Sequence, residues 1–552
     1  MEPYIRFSSR GMNWLIAREY QDVIPEIADI PEKLPSEAQI IKENMVRQSS
    51  VIPLTGHGEI FVKRYKMKGW GETLKYLFLP SKADREWRNI LFFKRYHLPT
   101  VTPVAKGIKR QGGLLKDSLL VTQNIPGCQT LKTFSQSIRN QSSRDCLTRK
   151  EAIITESARK IRMIHDKGFF YRDLHAGNIL IQEDTSGTFN LFFVDLHKAW
   201  HLGRIPLLAH IRDLAQLKNS LPSTRSDRIR FLKAYLKEGD PPLLMIAGEI
   251  DRYAERLERA HLKSRTRRCL IPSSEFMAEK SLRKSLYVKK RCGKDFFNAA
   301  FEEYRKARGQ GKIRIIKEQP KSSVSLLTIP WNGGEQTICI KEFSYPGLFY
   351  ALRSSFRKSR AVKSWVGANG LRVRGFSTPE ALALCEERKG GILKRSILLL
   401  EYLDGVEELN DYILKSFDLP PSPEKAVKKK KFIECLSREI RRLHAQGIYQ
   451  ADLKSNNILV KEKDGGWEFF FIDLDRIRLG QKLSYQERVK NLAQVNASVA
   501  DCITISDRLQ FFRSYAARTP LLLQKKNIYR NVLEIGRTKV TGPYRLNFKK
   551  SL

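Results

Sequence analysis

The sequence predicts an α+β protein of two tandem bilobal domains, in each of which a small β-rich lobe precedes a larger helical lobe. Two observations lead to this prediction. The chain repeats itself at a long interval, and each copy changes from strand-like to helical patterning part of the way along. A length of 552 residues would suit roughly three or four average domains or two large ones. The repeat favours two.

The repeat keeps its register over several hundred residues. The segment 164–181 returns as 443–460, an offset of 279 residues. Lys63 corresponds to Lys341 and Asp195 to Asp473, each at an offset of 278 residues. Chance does not preserve such spacing, so we expect two copies of one domain. We place them at residues 1–262 and 263–552, because a basic stretch at 263–268 follows the last helical pattern of the first copy.

Within the first copy, the elements follow in a consistent order. Residues 59–65 and 118–122 have the composition of strands, and a helical stretch lies near 82–96. Further along, residues 151–166 and 227–237 place apolar side chains at helical spacing. The first part of the copy is therefore predicted to be β-rich and the second part helical.

The composition is that of a globular, strongly basic protein. Apolar residues make up 41% and charged residues 29% of the chain, which excludes a low-complexity disordered chain. Lys and Arg number 100 against 59 Asp and Glu, a formal net charge of +41. Such a charge predicts an anionic partner, although any single basic run is commonly just a solvated face.

Cysteine usage and hydropathy bear on the compartment. The eight cysteines stand singly, without a Cys-x-x-Cys pair or a histidine at zinc spacing, which indicates a reducing environment and no zinc site. The first residues lack the apolar run of a secretory signal, and no stretch approaches the length of a membrane-spanning helix. We therefore expect a cytoplasmic protein whose membrane association, if any, is peripheral.

The residues that carry chemistry lie in the repeated segments. Asp173 and Asn178 are on a turn between a helix and a short strand, and Asp195 follows the next strand. An Asp that accepts the acceptor hydroxyl proton, with an Asn and a second Asp that hold Mg²⁺, is the arrangement of protein-kinase-like phosphotransfer. Lys63 supplies the strand lysine that such enzymes place on the phosphates, and Glu86 on the following helix can pair with it.

The second copy carries Lys341, Asp452, Asn457 and Asp473 in the same order. Taken singly, an Asp-x₄-Asn spacing occurs by chance in many chains, and a strand lysine is more often a solvated edge residue. The ordered set occurs twice, which favours two tandem protein-kinase-like domains.

These residues resemble the lipopolysaccharide kinase family, whose members phosphorylate Kdo or heptose in the inner core of lipopolysaccharide. The resemblance extends to the helix starts at 81–83 and 359–361 and to the loop at 173–180. It implies ATP and Mg²⁺ as cofactors, a sugar hydroxyl as acceptor, and the lipopolysaccharide core and the anionic cytoplasmic face of the inner membrane as partners. By this resemblance the site residues are the catalytic Asp173 and Asp452, the nucleotide-binding Lys63, Glu86 and Lys341, and the metal ligands Asn178, Asp195, Asn457 and Asp473.

Several features depart from the family pattern. Neither copy has a complete Gly-x-Gly-x-x-Gly loop, and the turns that we match to it, 55–58 and 332–334, are equally typical of hairpins. Ser364 stands in register with Glu86, and Asn491 with Asp213, a helix residue that could anchor the catalytic loop. We therefore expect the first copy to be the stronger catalyst, and the second to be weak, differently specific or regulatory.

Two other function classes stay open at this point. One is a kinase-fold enzyme with a protein or small-molecule acceptor, and the other is a scaffold that is partly a pseudokinase. The charge would also attract nucleic acid, but no RNP motif, zinc finger or helix-turn-helix supports a specific nucleic-acid partner. The sugar, the hydroxyl and the oligomeric state do not follow from the sequence.

Overall fold

The structure is a computed structural model that describes residues 3–44, 47–67, 70–138, 143–184, 187–331, 333–418, 422–517, 527, 529–532 and 534. Contacts divide the chain into two compact units, unit 1 (Met1–Glu258) and unit 2 (Arg259–Leu552). The sequence-based boundary after Leu262 falls inside a helix, Leu243–Arg267, and stays a prediction.

Unit 1 begins with a seven-stranded antiparallel sheet, which forms its first lobe. Its strands are β1 (Tyr4–Ser9), β2 (Met12–Ala17), β3 (Gln39–Asn44), β4 (Arg47–Leu54), β5 (Gly58–Lys66), β6 (Pro103–Gln111) and β7 (Leu114–Gln123). They are hydrogen-bonded in the order β1-β2-β6-β7-β5-β4-β3. The predicted strands at 59–65 and 118–122 are confirmed as parts of β5 and β7.

The rest of unit 1 is mainly helical, with two small sheets. The short strands are β8 (Gln129–Thr130), β9 (Phe169–Phe170), β10 (Ile179–Glu183), β11 (Phe189–Phe193) and β12 (Trp200–His201). The helices of the unit are α1 (Ile24–Asp29), α2 (Trp70–Phe78), α3 (Lys82–Arg95), α4 (Leu131–Ser137), α5 (Arg144–Asp166), α6 (Leu207–Ser220) and α7 (Arg225–Tyr235), followed by α8 (Leu243–Arg267). The change from strands to helices confirms the predicted order of lobes.

Unit 2 has the same sheet topology. The strands of its large sheet are β13 (Phe276–Lys280), β14 (Lys284–Lys289), β15 (Arg314–Gln319), β16 (Ser322–Trp331), β17 (Gly334–Ser344), β18 (Ala381–Lys389) and β19 (Ile392–Glu401). Their order is β13-β14-β18-β19-β17-β16-β15, position for position that of unit 1. The short strands are β20 (Glu407–Glu408), β21 (Tyr449–Gln450), β22 (Ile458–Lys463), β23 (Gly466–Phe471) and β24 (Ile477–Arg478).

The described helices of unit 2 follow those of unit 1, except that a long helix takes the place of the short α1. They are α9 (Gly293–Gly309), α10 (Leu348–Ser355), α11 (Arg360–Val373), α12 (Leu409–Phe417), α13 (Pro423–Ala445), α14 (Tyr485–Ser498) and α15 (Ile505–Ala516). The long α9 packs Phe296, Phe297 and Tyr304 on the outer face of the sheet. In unit 1 that face is covered by a short segment that contains Tyr20, Val23 and Ile27. This difference does not follow from the sequence patterns considered above.

The inner face of each large sheet packs against one helix, α3 in unit 1 and α11 in unit 2. Ser81 caps α3 by accepting a hydrogen bond from the Asp84 backbone N–H, and Ser359 caps α11 through Val362 in the same way. Trp87 and Trp365 are fully buried at the same position of the two helices. The predicted helix near 82–96 is thus confirmed, and its packing holds one face of the helix against the strand that bears the lysine.

Among the described residues, no helix combines the length and the apolar character needed to cross a lipid bilayer.

Candidate active site

The centre of the site in unit 1 is a buried lysine between two carboxylates. Lys63 on β5 donates to Glu86 Oε1 on α3 at 2.6 Å and lies 3.4 Å from Asp195 Oδ1. Lys63 is 6% exposed and Glu86 2% exposed. Tyr65, two residues along β5 on the same face, donates its hydroxyl to the other oxygen of Glu86 at 2.6 Å. Strand, helix and loop thus converge on one charge cluster.

Asp195 has two further neighbours that the sequence analysis did not identify. Arg47 on β4 donates to Asp195 Oδ2 at 2.8 Å, and His197 Nδ1 lies 3.5 Å from Oδ1. Burial alone would raise the pKa of Asp195, but the charges of Lys63 and Arg47 and the proximity of His197 lower it well below the ordinary value. Asp195 is therefore a carboxylate throughout the physiological pH range.

The loop before β10 carries Asp173 and Asn178. The Asn178 side-chain amide donates to the Asp173 backbone oxygen at 3.1 Å, which closes the loop on itself. Asp173 Oδ2 accepts a hydrogen bond from Lys198 Nζ at 2.7 Å. Lys198 is the last residue of the 3₁₀ turn that follows Asp195. Val194 donates its backbone N–H to the Asn178 carbonyl at 3.0 Å, so the two segments that bear Asp173 and Asp195 are joined directly.

Asp213 on α6 fixes the backbone of this loop. Its carboxylate accepts from the N–H groups of Tyr171 at 2.7 Å and Arg172 at 2.9 Å, and His165 Nε2 lies 3.3 Å away. Arg172 has a φ of 65°, a left-handed conformation that costs energy for a residue with a side chain. The two hydrogen bonds to the fully buried carboxylate of Asp213 hold that conformation in place directly before Asp173.

In unit 2 the equivalent lysine has lost one partner. Lys341 on β17 donates to Asp473 Oδ1 at 2.5 Å. Ser364 takes the position of Glu86, and its buried Oγ has no hydrogen-bond partner among the described residues. Phe343 takes the position of Tyr65, so the hydroxyl that holds the glutamate is also missing. Burial would raise the pKa of Asp473, yet Lys341 and Arg360 lower it.

In unit 2 the hydrogen bond between the helix residue and the loop that carries Asp452 runs in the opposite direction. Asn491, the counterpart of Asp213, donates its side-chain amide to the Gln450 backbone oxygen at 2.6 Å. Unit 1 presents N–H groups at this place, whereas unit 2 presents a carbonyl, and the φ of Ala451 is not positive. Asn457 still donates to the Asp452 backbone oxygen at 2.8 Å, and Lys454 pairs with the Asp452 carboxylate at 3.0 Å. The loop sequence is retained, but its backbone is held differently.

The match of the glycine turns to a phosphate-binding loop is wrong. The turn 55–58 joins β4 to β5 as a hairpin, with Leu54 paired to Gly58, and His57 contacts Asp22. Lys63 pairs with Ser49, towards the other end of β4, where Arg47 reaches Asp195. The turn of unit 2 likewise joins Trp331 to Gly334, far along the strands from Lys341, and its Asn332 lies outside the described residues.

The hairpin turns nearer the lysines are different segments. In unit 1, β3 and β4 are joined by residues 45–46, which lie outside the described residues. In unit 2, β15 and β16 are joined by Pro320 and Lys321, a turn without glycine. Strand order decides which hairpin lies on the lysine side, and local sequence could not supply it.

The donor atoms around Asp195 suit a divalent cation. Carboxylate oxygens of Glu86 and Asp195 and a ring nitrogen of His197 lie within 4.8 Å of one another. His197 Nδ1 is buried and has no hydrogen-bond partner within the described part of the chain. The Asn178 amide N–H is used by the Asp173 backbone, which leaves its amide oxygen as a further donor to a cation. Oxygen donors of this kind fit Mg²⁺.

Several known proteins are similar to parts of this chain. The lipopolysaccharide core heptose(I) kinase WaaP of Pseudomonas aeruginosa is 29% identical over 211 residues, which are 36% of this chain and 78% of that protein. The 3-deoxy-D-manno-octulosonic acid kinase of Xylella fastidiosa is 30% identical over 142 residues, 26% of this chain and 51% of that protein. The corresponding kinase of Pasteurella multocida is 23% identical over 151 residues, 27% of this chain and 58% of that protein. The chain thus spans little more than half of these two relatives.

Among solved structures, one of WaaP in complex with acyl carrier protein is 25% identical and covers 44% of this chain and 95% of that chain, with a TM-score of 0.33. The model of the lipopolysaccharide kinase (Kdo/WaaP) family matches residues 35–235 and 349–515, one segment in each unit and together more than half of the chain. The protein is therefore a kinase that belongs to the lipopolysaccharide kinase (Kdo/WaaP) family.

Proposed function

We propose that the protein transfers the γ-phosphate of ATP, with Mg²⁺, to a hydroxyl of heptose or Kdo in the lipopolysaccharide inner core, and that unit 1 performs the transfer. The observation that carries this proposal is the buried cluster of Lys63, Glu86 and Asp195, joined by backbone contacts to the loop that bears Asp173. Such a cluster contains the charged groups that phosphoryl transfer requires, each on a different element.

In this proposal Lys63 binds the α- and β-phosphates of the nucleotide. Glu86 orients the ammonium group by one short hydrogen bond, and Tyr65 holds Glu86 by a second, so little reorganisation is needed when the phosphates arrive. Because Lys63 is 6% exposed, its charge acts through a medium of low effective dielectric and is screened little by salt.

Asp195 and Asn178 would hold the cation. Mg²⁺ bound there would neutralise charge on the phosphate oxygens as the transfer proceeds. The lowered pKa of Asp195 keeps it anionic and ready as a ligand. Arg47, which pairs with that carboxylate and donates to Ser49, lies at the start of β4 and would add positive charge beside the phosphates.

Asp173 would orient the acceptor hydroxyl and accept its proton. Asp213 fixes the loop backbone, and the Asn178 amide bonds the Asp173 carbonyl, so the carboxylate is carried on a rigid segment. Lys198, which pairs with Asp173 at 2.7 Å, would balance the negative charge that gathers between acceptor and phosphate.

In our proposal, unit 2 binds nucleotide through Lys341, Asp452, Asn457 and Asp473 but is the weaker catalyst. It lacks the carboxylate that holds the lysine away from the metal ligand, because Ser364 replaces Glu86. Lys341 instead contacts Asp473 at 2.5 Å and would compete with a cation for that carboxylate. A weak, differently specific or regulatory role follows from this geometry.

The acceptor class is proposed from the relatives and from charge. The similar proteins are named for kinases of the lipopolysaccharide core and of 3-deoxy-D-manno-octulosonic acid. A formal charge of +41 favours a phosphorylated, carboxylate-bearing glycolipid and the anionic cytoplasmic leaflet in which it is embedded. We accordingly place the protein in the cytoplasm, at the inner membrane surface.

The experiment is transfer of labelled phosphate from ATP, with Mg²⁺, to intact and delipidated lipopolysaccharide core acceptors, with a protein acceptor in parallel. The proposal predicts labelled core sugar for the unchanged chain and none for Asp173→Asn. Labelling of the protein acceptor without labelled glycan would contradict the acceptor class. Absence of nucleotide turnover with every acceptor would contradict the enzymatic proposal as a whole.

A further inference from the structure

Each unit exposes apolar side chains on the short helix that precedes α3 or α11. In unit 1 these are Leu74, Leu77 and Phe78 on α2 and Leu79 just after it. Phe78 is 91% exposed. Such exposure is rare for a phenylalanine, because transfer of an apolar side chain from water to the protein interior is favourable. The segment therefore presents a contiguous apolar surface to solvent.

Unit 2 repeats this feature at the same place. Leu348, Phe349 and Leu352 on α10 and Phe356 directly after it are all exposed, and Phe356 is 84% exposed. Leu352 stands 278 residues after Leu74, and Phe356 the same distance after Phe78. The two sequences differ at most other positions of the helix, so the outward apolar residues are the property that the two units share.

The inner faces of both helices are packed against their sheets. Thr73 and Tyr76 of α2 are buried, and the Tyr76 carbonyl accepts from Arg110 of β6 at 3.0 Å. In α10, Ala351 is buried, and the Ser355 hydroxyl accepts from the Leu393 backbone N–H at 2.7 Å. The outward direction of the apolar residues is thus set by folded contacts on the other side of each helix.

The surroundings of these apolar residues are basic. In the sequence 66–83 the four bases Lys66, Lys68, Lys75 and Lys82 outnumber the single acid, Glu72. Arg353, Arg357 and Lys358 are exposed around Phe356, and the sequence 346–374 contains no acid at all. Apolar side chains bordered by an excess of Lys and Arg over acids are the pattern of a helix that lies in the interface of an anionic membrane.

We propose that α2 with Leu79 and α10 with Phe356 are membrane-docking segments, each of which inserts its apolar side chains among the acyl chains of an anionic lipid bilayer. The bases would lie at the level of the lipid phosphates, where each adds attraction to negative headgroups. A protein partner would need acidic side chains opposite these bases, or it would contact the apolar side chains alone. Neither case would require the same basic border in both units.

The position of the segments links docking to the cleft. From α2 the chain passes through Pro80 and Ser81 directly into α3, the helix that bears Glu86. Docking of α2 would therefore bring the Lys63 and Glu86 side of unit 1 close to the lipid surface. Its use for a lipid-anchored acceptor rests on the proposed function, whereas lipid binding itself does not.

The test is flotation of the full chain with vesicles of phosphatidylcholine alone and of phosphatidylcholine containing phosphatidylglycerol. We expect flotation with the anionic vesicles that weakens with salt. The double variant Phe78→Asp, Phe356→Asp should lower the apparent partition by at least about tenfold, because two apolar contacts are replaced by charges in the interface. The matched control is Leu282→Asp, a change at an equally exposed apolar residue, 86% exposed, in the turn between β13 and β14.

A second readout locates the side chains. In the single variants Phe78→Trp and Phe356→Trp, brominated lipids in the anionic vesicles should quench additional tryptophan fluorescence relative to the unchanged chain. Equal flotation of the double variant and the unchanged chain, or no added quenching in either tryptophan variant, would overturn the proposal. So would a chain that fails to float but forms a dimer that the double variant abolishes. None of these readouts uses phosphate transfer, so lipid binding can fail while the proposed function stands, and the reverse.

Discussion

The clefts of the two units contain the same strand lysine, loop aspartate, asparagine and second aspartate, yet they hold them differently. In unit 1 Lys63 is shared between Glu86 and Asp195, whereas in unit 2 Lys341 contacts Asp473 and Ser364 replaces the glutamate. The two units differ in the side chains that hold the lysine, and not in the side chains that would contact the nucleotide. It teaches that a retained motif does not by itself preserve the arrangement that the motif serves.

The second difference concerns the loop backbone. Asp213 can only accept hydrogen bonds, so it selects a loop conformation that presents the N–H groups of Tyr171 and Arg172. Asn491 can also donate, and it does so to the Gln450 carbonyl. A single change from carboxylate to amide is therefore associated with an inverted polarity of the backbone at the same place.

The largest expected effect comes from removing the proposed metal-binding carboxylate of each unit in turn. Asp195→Asn should lower the rate of phosphate transfer by about a thousandfold, because the neutral amide no longer holds a divalent cation on the phosphates. Asp473→Asn should change that rate by less than about twofold by the same reasoning if unit 1 is the catalyst. Initial rates at saturating ATP check both, and equal losses in the two variants would mean that both clefts work.

A second variant, which removes the charge of Glu86, tests the ion pair that unit 2 lacks. Glu86→Gln leaves Lys63 buried with a weaker partner, at a cost of about 1–3 kcal/mol, so kcat/KM for ATP should fall roughly ten- to a hundredfold. The matched change is Ser364→Ala, which removes a buried hydroxyl that has no partner among the described residues and should leave the rate unchanged. A Glu86→Gln chain with unaltered kcat/KM would show that the ion pair has no part in nucleotide use.

Exchanging the loop anchor tests the backbone difference. Asp213→Asn gives unit 1 the residue of unit 2, and one side-chain N–H would then face a backbone N–H. We expect the free energy of unfolding to fall by about 1–3 kcal/mol, with a parallel loss of kcat. Urea unfolding and transfer rates measure the two effects. Retention of full rate together with full stability would contradict the anchoring role of Asp213.

The last prediction is a pH dependence of the free energy of unfolding of unit 2. Burial lowers the pKa of His444 to about 3, with Asn491 and Arg488 beside it, while the unfolded chain has the ordinary value near 6.5. Between these values the unfolded state binds the additional proton, so stability is present above about pH 6.5 and falls by up to about 1.4 kcal/mol per pH unit below it.

His444→Gln should flatten this slope, since glutamine does not titrate. Urea unfolding of the full chain between about pH 3 and 6.5, the window set by the two pKa values, gives the comparison, and labelling of the buried Cys385 thiol reports the unfolding of unit 2. A variant with the same slope as the unchanged chain would show that other groups produce the acid sensitivity.

Much of the fold and the core of the site could be predicted, because they depend on order along the chain. A lysine on a strand, a glutamate on the next helix and an aspartate after a later strand are brought together in the kinase-like fold that this order of elements predicts. Ser364 and Asn491 could likewise be identified from register alone. The outcome shows that a repeat with constant offset can identify changed positions without a structure.

Other features depend on contacts between segments distant in sequence. Arg47 reaches Asp195 only because β4 lies beside β5, and nothing in its local sequence indicates that contact. The glycine turn at 55–58 was matched to the wrong hairpin for the same reason, since strand order decides which turn lies near Lys63. The inverted backbone at Gln450 could not be foreseen either, because a peptide orientation is set by its partner across the loop.

The measurement that tests the central claim most directly is the initial rate of phosphate transfer in Asp173→Asn and Asp452→Asn, prepared as full chains and compared side by side. The two residues occupy the same loop position, so each variant is the control for the other. We predict a loss of at least about a hundredfold for Asp173→Asn and a rate close to that of the unchanged chain for Asp452→Asn. Loss of transfer in the Asp452 variant alone would contradict the assignment of catalysis to unit 1.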